Sequence, residues 1–177
     1  MTRVREAEVP SAYGLAAGIA AIASVAAGDT EQARAYLEEA GASAALRGNL
    51  IYGVFLPELV RCALWISGPE LARRLLDEVS PRIPLNAHAL CAAEAALSEA
   101  AGDLKGALTR YAEAASRWEA FGYTVERGFA LLGRGRCLAR AKQPGAFEAL
   151  TEARSIFVDA RCNVAIDECD ALLASRM

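Results

Sequence analysis

The chain has 177 residues, of which 54% are hydrophobic and 23% charged, and its net charge is −3. A chain of this size buries roughly 70% of the surface that its unfolded form exposes, so a core forms without a metal or disulfide staple. The acidic balance argues against nucleic-acid binding, and the longest apolar stretch, 12–27, is shorter than the ~20 residues of a membrane span. We therefore expect a soluble, cytoplasmic protein.

Four segments of the chain repeat one pattern, in which a turn leads into apolar residues at spacings of four and three. The pattern begins at Ala33, Ala72, Ala107 and Ala146, so the repeat length is 35 to 39 residues. That length accommodates two short helices and two turns. No segment alternates apolar and polar residues as a half-buried strand would, so the fold class is predicted to be all-α.

The predicted elements, in chain order, are four helix hairpins and a terminal helix. The hairpins lie at about 11–46, 48–79, 84–121 and 124–159, and a capping helix follows at 163–175. Asp29, Ser67 and Asp103 are predicted N-caps, and Gly28 and Gly102 are predicted left-handed residues that end the preceding helices. Residues 1–10 are predicted to be a polar extension, and 11–177 a single repeat domain.

Apolar residues lie on one face of each predicted helix. Ala107, Tyr111, Ala114, Trp118 and Phe121 form one such stripe. A single hairpin cannot cover both of its apolar faces, so we expect the hairpins to stack as a right-handed α-solenoid with a concave surface. Trp65 and Trp118 are predicted to be wedges between helices.

The repeat resembles the tetratricopeptide repeat. The likeness is clearest over 88–114, through Ala95, Gly102, Ala107, Tyr111 and Ala114. It is also good over 14–40, through Ala21, Gly28, Ala33, Leu37 and Ala40. The resemblance implies a superhelix that binds other proteins.

The stretch 92–175 resembles the C-terminal helical repeats of large bacterial signalling proteins. The likeness rests on stretches such as Arg117-Trp118-Glu119-Ala120-Phe121-Gly122-Tyr123. In those proteins a STAND-type ATPase module, often with an adenylate or guanylate cyclase domain, precedes the repeats. The resemblance implies that this chain is the C-terminal regulatory part of a longer protein, without either catalytic activity.

We expect no catalytic residue, no metal site and no cofactor. The chain has one histidine, so it lacks an ordinary nucleophile and base pair, and His88 with Cys91 supplies only two metal ligands. The five cysteines are predicted to be buried thiols without disulfides. A group of arginines is either an anion site or an ion-paired surface: Arg127, Arg134, Arg136, Arg140, Arg154 and Arg161.

The concave surface is the predicted partner-binding site. Aligning the repeats places Ile22, Val25, Arg61, Leu64, Glu99, Leu132 and Arg136 on it. Because most groove positions are apolar, the first hypothesis is a non-enzymatic scaffold domain that binds a helix, a peptide or another part of its parent protein. The alternative is a domain that senses a small-molecule effector in the groove.

Two further contacts are predicted. An exposed face with Ile19, Ile22 and Val25 would allow a homodimer. Glu94 and Arg134 occupy one repeat position in consecutive hairpins, where an apolar residue is usual, so we expect them to form a buried ion pair.

Overall fold

The computed structural model describes residues 10–175 except 48 and 50, and this part of the chain contains helices and no strand. The all-α prediction is therefore confirmed. The helices are α1 (Pro10–Ala26), α2 (Thr30–Ala42), the single turn α3 (Ala44–Arg47), α4 (Tyr52–Ile66), α5 (Pro69–Leu76), α6 (Pro84–Ala100), α7 (Leu104–Phe121), α8 (Thr124–Arg140), α9 (Ala146–Ala160) and α10 (Asn163–Ala174). The predicted extension 1–10 lies outside the described residues, apart from Pro10.

Two of the three predicted N-caps are confirmed. Asp29 accepts a hydrogen bond from the Gln32 amide at 3.0 Å, and Asp103 accepts one from the Gly106 amide at 2.9 Å. Ser67 is instead the residue that ends α4, and Gly68 precedes α5. Pro69 begins α5, and because proline has no N–H, this helix has one fewer donor to cap.

The described residues form two compact units, divided between Ala93 and Glu94 within α6. In unit 1, which ends at Ala93, α1 packs against α2, α3 and α4, and α5 packs against α2 and α4. The largest fully buried side chains there are Leu37, Leu46, Tyr52, Leu56, Leu59, Val60, Leu75 and Asn86. The Tyr52 hydroxyl donates to the carbonyl oxygen of Leu75 at 2.8 Å and so ties α4 to α5.

In unit 2, which begins at Glu94, α7 packs against α8, α8 against α9 and α9 against α10. The fully buried large side chains are Trp118, Leu132, Leu150 and Phe157. The predicted stripe on α7 is buried except at Phe121, which is 41% exposed because it ends the helix at the turn to α8. Gly133 lies against the ring of Tyr111, where a Cβ atom would come within 2.3 Å of a ring carbon.

Neighbouring helices pack against each other within both units, as the hairpin pattern predicts. The right-handed solenoid and the single domain over 11–177 stay predictions. Among the described helices, none combines the length and the apolar character that a membrane crossing needs.

Candidate functional site

Four predicted groove residues lie in unit 1, and all four are half-buried: Ile22 and Val25 on α1, and Arg61 and Leu64 on α4. Beside Leu64 stands Trp65, which is 66% exposed. The prediction that Trp65 is a wedge between helices is therefore wrong.

The ends of α1 and α4 lie on the same side of unit 1. The turn after Ala26 leads directly into α2, and near the start of α2 the Arg34 guanidinium donates to the carbonyl oxygen of Ile66 at 2.9 Å. Because Ile66 is the last residue of α4, Val25 and Trp65 lie towards the same end of the unit. We call Ile22, Val25, Leu64 and Trp65 the unit 1 apolar end.

The charge of Arg61 is neutralised on its own helix. Its Nε and Nη2 atoms donate to Glu58 Oε2 at 2.9 and 2.5 Å. Burial, together with the charge of Glu58, raises the pKa of the nearby Cys62 thiol to about 12. This part of α4 therefore presents a fixed ion pair and an inert thiol beside the apolar end.

In unit 2 the structure brings together two predicted groove residues, Glu99 of α6 and Arg136 of α8. Arg136 donates from Nε and Nη2 to the two oxygens of Glu99, each at 2.9 Å, and the Glu99 side chain is only 12% exposed. The Tyr111 hydroxyl donates to Glu99 Oε2 at 2.7 Å, and Arg136 Nη1 donates to Glu168 Oε1 of α10 at 2.6 Å. We call Glu99, Tyr111, Arg136 and Glu168 the Glu99–Arg136 cluster.

The two hydrogen-bond donors of the cluster, Tyr111 and Arg136, both have raised pKa values. Burial and the neighbouring Glu99 charge raise the pKa of Tyr111. Burial opposes the charge of Arg136, but the hydrogen bonds and charge of Glu99 outweigh it, so the pKa of Arg136 is raised. Burial also raises the pKa values of Cys137 and Cys169 to about 11. The hydrogen bonds of Tyr111 and Arg136 to Glu99 and Glu168 therefore connect α6, α7, α8 and α10.

The repeat alignment predicts Leu132 in the groove, whereas the structure buries it in the core. Leu132 is 1% exposed, and α8, which carries it, packs against both α7 and α9. A helix covered on two sides has little open surface, so a partner cannot reach this residue without rearrangement.

The arginines of unit 2 favour an ion-paired surface over an anion site. Four of the six have a carboxylate within 4.0 Å: Arg127 contacts Glu119 and Glu152, Arg136 contacts Glu99 and Glu168, Arg140 contacts Glu99, and Arg154 contacts Asp170. The predicted buried pair of Glu94 and Arg134 is wrong, since both residues are exposed and Glu94 lies 3.9 Å from Arg110.

Two members of the cluster were missed from the sequence. The sequence predicts Tyr111 as a residue of the apolar stripe and of the repeat motif, although the hydroxyl of a buried tyrosine requires a partner. Glu168 lies on the terminal helix, outside the repeat alignment, so no spacing signal pointed to it. Among the described residues, no group of three histidine, cysteine or carboxylate side chains could hold a metal ion. All five cysteines are free thiols, and only Cys162 is not buried.

No protein-family description matches the chain, and no curated protein or solved structure is significantly similar to it.

Proposed function

We propose that this chain is a non-enzymatic protein-interaction domain whose unit 1 apolar end binds an apolar helix or peptide of a partner. The exposure of Trp65 carries the proposal, because 66% of this large side chain faces solvent on a helix whose Tyr52, Leu56 and Leu59 are buried. Tryptophan is rare on bare surfaces and is enriched among the residues that dominate binding energies at interfaces.

The other residues of the unit 1 apolar end suit an apolar partner. Leu64, Ile22 and Val25 are all half-buried, and α1 contains no charged residue. Arg61 is already paired with Glu58, so it adds orientation at the rim without an uncompensated charge. The partner in this proposal is a helix or peptide, either from another protein or from another domain of a longer bacterial signalling protein, as the sequence resemblance implies.

A photo-crosslinking experiment tests the proposal. A benzophenone amino acid replaces Trp65 in the full chain, which is expressed in the cells that carry the gene, and the matched control places it at Phe147, which is 61% exposed in unit 2. The proposal predicts a discrete adduct with one protein from position 65 and none from position 147. Equal labelling at the two positions would contradict it.

The partner found in this way permits a quantitative test. Trp65→Ala should weaken its binding by about 30-fold, the equivalent of ~2 kcal/mol for a central interface residue. Circular dichroism should stay unchanged, because the side chain contributes little to the core. Unchanged affinity in the folded variant would contradict the assignment of this surface.

Effector sensing is a second candidate because four polar side chains converge in the Glu99–Arg136 cluster, and Arg136 is partly exposed. Since these groups bind one another, an effector would have to replace Glu99 or Glu168 as the partner of Arg136. A small dicarboxylate that raises the melting temperature of the wild type, but not of Arg136→Met, would support this function. Equal shifts in both proteins would count against it.

A further inference from the structure

Helix α10, the last described helix, packs on unit 2 without fully burying any large side chain, and its Ile166, Leu172 and Leu173 are half-buried. Its buried residues are Ala165 and Cys169, whereas α9 buries Leu150, Ile156 and Phe157. Val164 at its start is 85% exposed. Because its large side chains are at most half-buried, α10 gains less hydrophobic stabilisation than α9, and this favours local detachment of α10.

Two carboxylates of α10 form ion pairs with arginines of the neighbouring helices. Arg154 of α9 donates to both oxygens of Asp170 at 2.5 and 3.1 Å, and Arg136 of α8 donates to Glu168 at 2.6 Å. The two arginines and the surface between them bind α10 through Glu168 and Asp170, which lie on either side of the small residue Cys169. We call this binding surface the α10 seat.

The connection between α9 and α10 is strained. Arg161 has φ 58° and ψ 37°, a left-handed conformation that disfavours residues with a Cβ atom, and its amide donates to the carbonyl oxygen of Val158 at 3.1 Å. The corresponding turn between α7 and α8 has Gly122 at φ 83°, where no such strain arises. Straightening the chain at Arg161 would relieve the strain and would carry α10 away from its own seat.

We propose that α10 is exchanged between two copies of this chain, so that each copy's α10 occupies the other's seat. A second copy is the occupant that matches the seat, because its α10 carries the same small residues and the same two carboxylates. A short connection with a strained residue and a helix whose large side chains are at most half-buried both favour such exchange. The proposal concerns unit 2 alone, so its failure would leave the proposed function of the unit 1 apolar end untouched.

The exchange is tested with two variants of the Arg154–Asp170 ion pair, each of which reverses one of the two charges. In the Arg154→Asp chain and in the Asp170→Arg chain, the pair repels within the copy. In an exchanged dimer of the two variants, the substituted Asp at position 154 of one copy meets the substituted Arg at position 170 of the other. At the second seat, the native Arg154 and Asp170 meet. Sedimentation velocity of the mixture should show a heterodimer at least tenfold tighter than either variant's own dimer, because only the exchanged heterodimer joins opposite charges at both seats.

A mixture that sediments as the sum of its components would overturn the proposal. The matched control is the chain with both substitutions, Arg154→Asp and Asp170→Arg, which restores pairing within one copy. Mixed with the wild type, it should give no heterodimer, because the exchanged contacts would join like charges. Circular dichroism of every variant establishes that unit 2 is folded before the comparison.

Two substitutions of Arg161, which lies outside the α10 seat, should change the dimer fraction in opposite directions. Arg161→Gly removes the strain of the closed turn and should lower the dimer fraction of the chain at a fixed concentration. Arg161→Pro cannot adopt a positive φ and cannot donate to Val158, so it should raise that fraction. The same change for both variants, or the reverse order, would contradict exchange through this connection.

Discussion

Close packing at Gly133 leaves no room for a side chain, and Gly133→Ala should destabilise the protein. The added methyl group would lie 2.3 to 2.7 Å from three carbons of the Tyr111 ring, which Glu99 holds in place through the tyrosine hydroxyl. Overpacking of this kind costs about 1–3 kcal/mol, more than the ~1 kcal/mol that alanine gains in a helix. Urea unfolding should therefore give a lower free energy of unfolding.

The matched control for this substitution is Gly41→Ala. A Cβ atom there would meet its nearest neighbour, a Leu71 carbon, at 3.5 Å, which is an ordinary contact. Helix propensity then dominates, and the variant should be unchanged or stabilised by up to ~1 kcal/mol. If both variants lost the same stability, the steric explanation for Gly133 would be wrong.

Thiol reactivity should be confined to one cysteine. Cys162 is half-buried and the other four cysteines are buried. Burial raises the pKa of Cys62 to about 12 and those of Cys137 and Cys169 to about 11, so little of the reactive thiolate exists near neutral pH. A chromogenic disulfide reagent should modify one thiol quickly in the folded chain. Cys162→Ser should remove that fast phase, and its persistence would contradict the assignment.

At the scale of elements, the Glu99–Arg136 cluster connects the end of α6 with α7, α8 and α10. Glu99→Gln keeps an acceptor for Tyr111 but removes the charge opposite the half-buried Arg136. We expect the free energy of unfolding to fall by about 2 kcal/mol, because hydrogen bonds to charged groups contribute more than neutral ones. Urea unfolding followed by tryptophan fluorescence measures the change.

Glu113→Gln is the control for a charge removed at the surface. Glu113 pairs with Arg117 one turn further along α7, and both side chains are more than a third exposed. Such pairs stabilise a helix by about 0.3–0.5 kcal/mol, so this variant should lie close to the wild type. Equal losses at Glu99 and Glu113 would mean that the cluster is no more than a surface network.

Acid should loosen α10 through Asp170. The hydrogen bonds from Arg154 hold the pKa of Asp170 below its usual range, while in the unfolded chain it returns to about 3.9. Asp170 therefore stabilises the folded state above that pH, and the contribution is lost as the pH falls through the lowered pKa. Amide resonances of α10 should shift in this acid range in the wild type. In Asp170→Asn this titration should be missing, and an identical titration would contradict the assignment.

The sequence predicts contacts between residues that are close in the chain better than contacts between side chains of different helices. Asp29 and Asp103 cap helices through hydrogen bonds that span three residues, so turn chemistry alone found them. The repeat alignment predicts that Glu99 and Arg136 line one groove, but it does not predict their mutual hydrogen bonds, because contacts between side chains of different helices leave no pattern in the spacing. The sequence predicts Trp65 as a wedge between helices because tryptophan is large and is buried on average. Its exposure in the structure has no signal in the local sequence.

At the scale of the whole molecule, packed helices hold the chain together without covalent links between them. All five cysteines are free, and helix pairs in both units bury leucine, tyrosine, tryptophan and phenylalanine side chains. A reductant should therefore leave the melting temperature unchanged. A structural disulfide contributes about 2–4 kcal/mol, and in a chain of this length each 1 kcal/mol shifts the melting temperature by roughly 2–4 °C. A calorimetric scan with and without reductant would detect such a loss, and a drop of several degrees would contradict a core held together by packing alone.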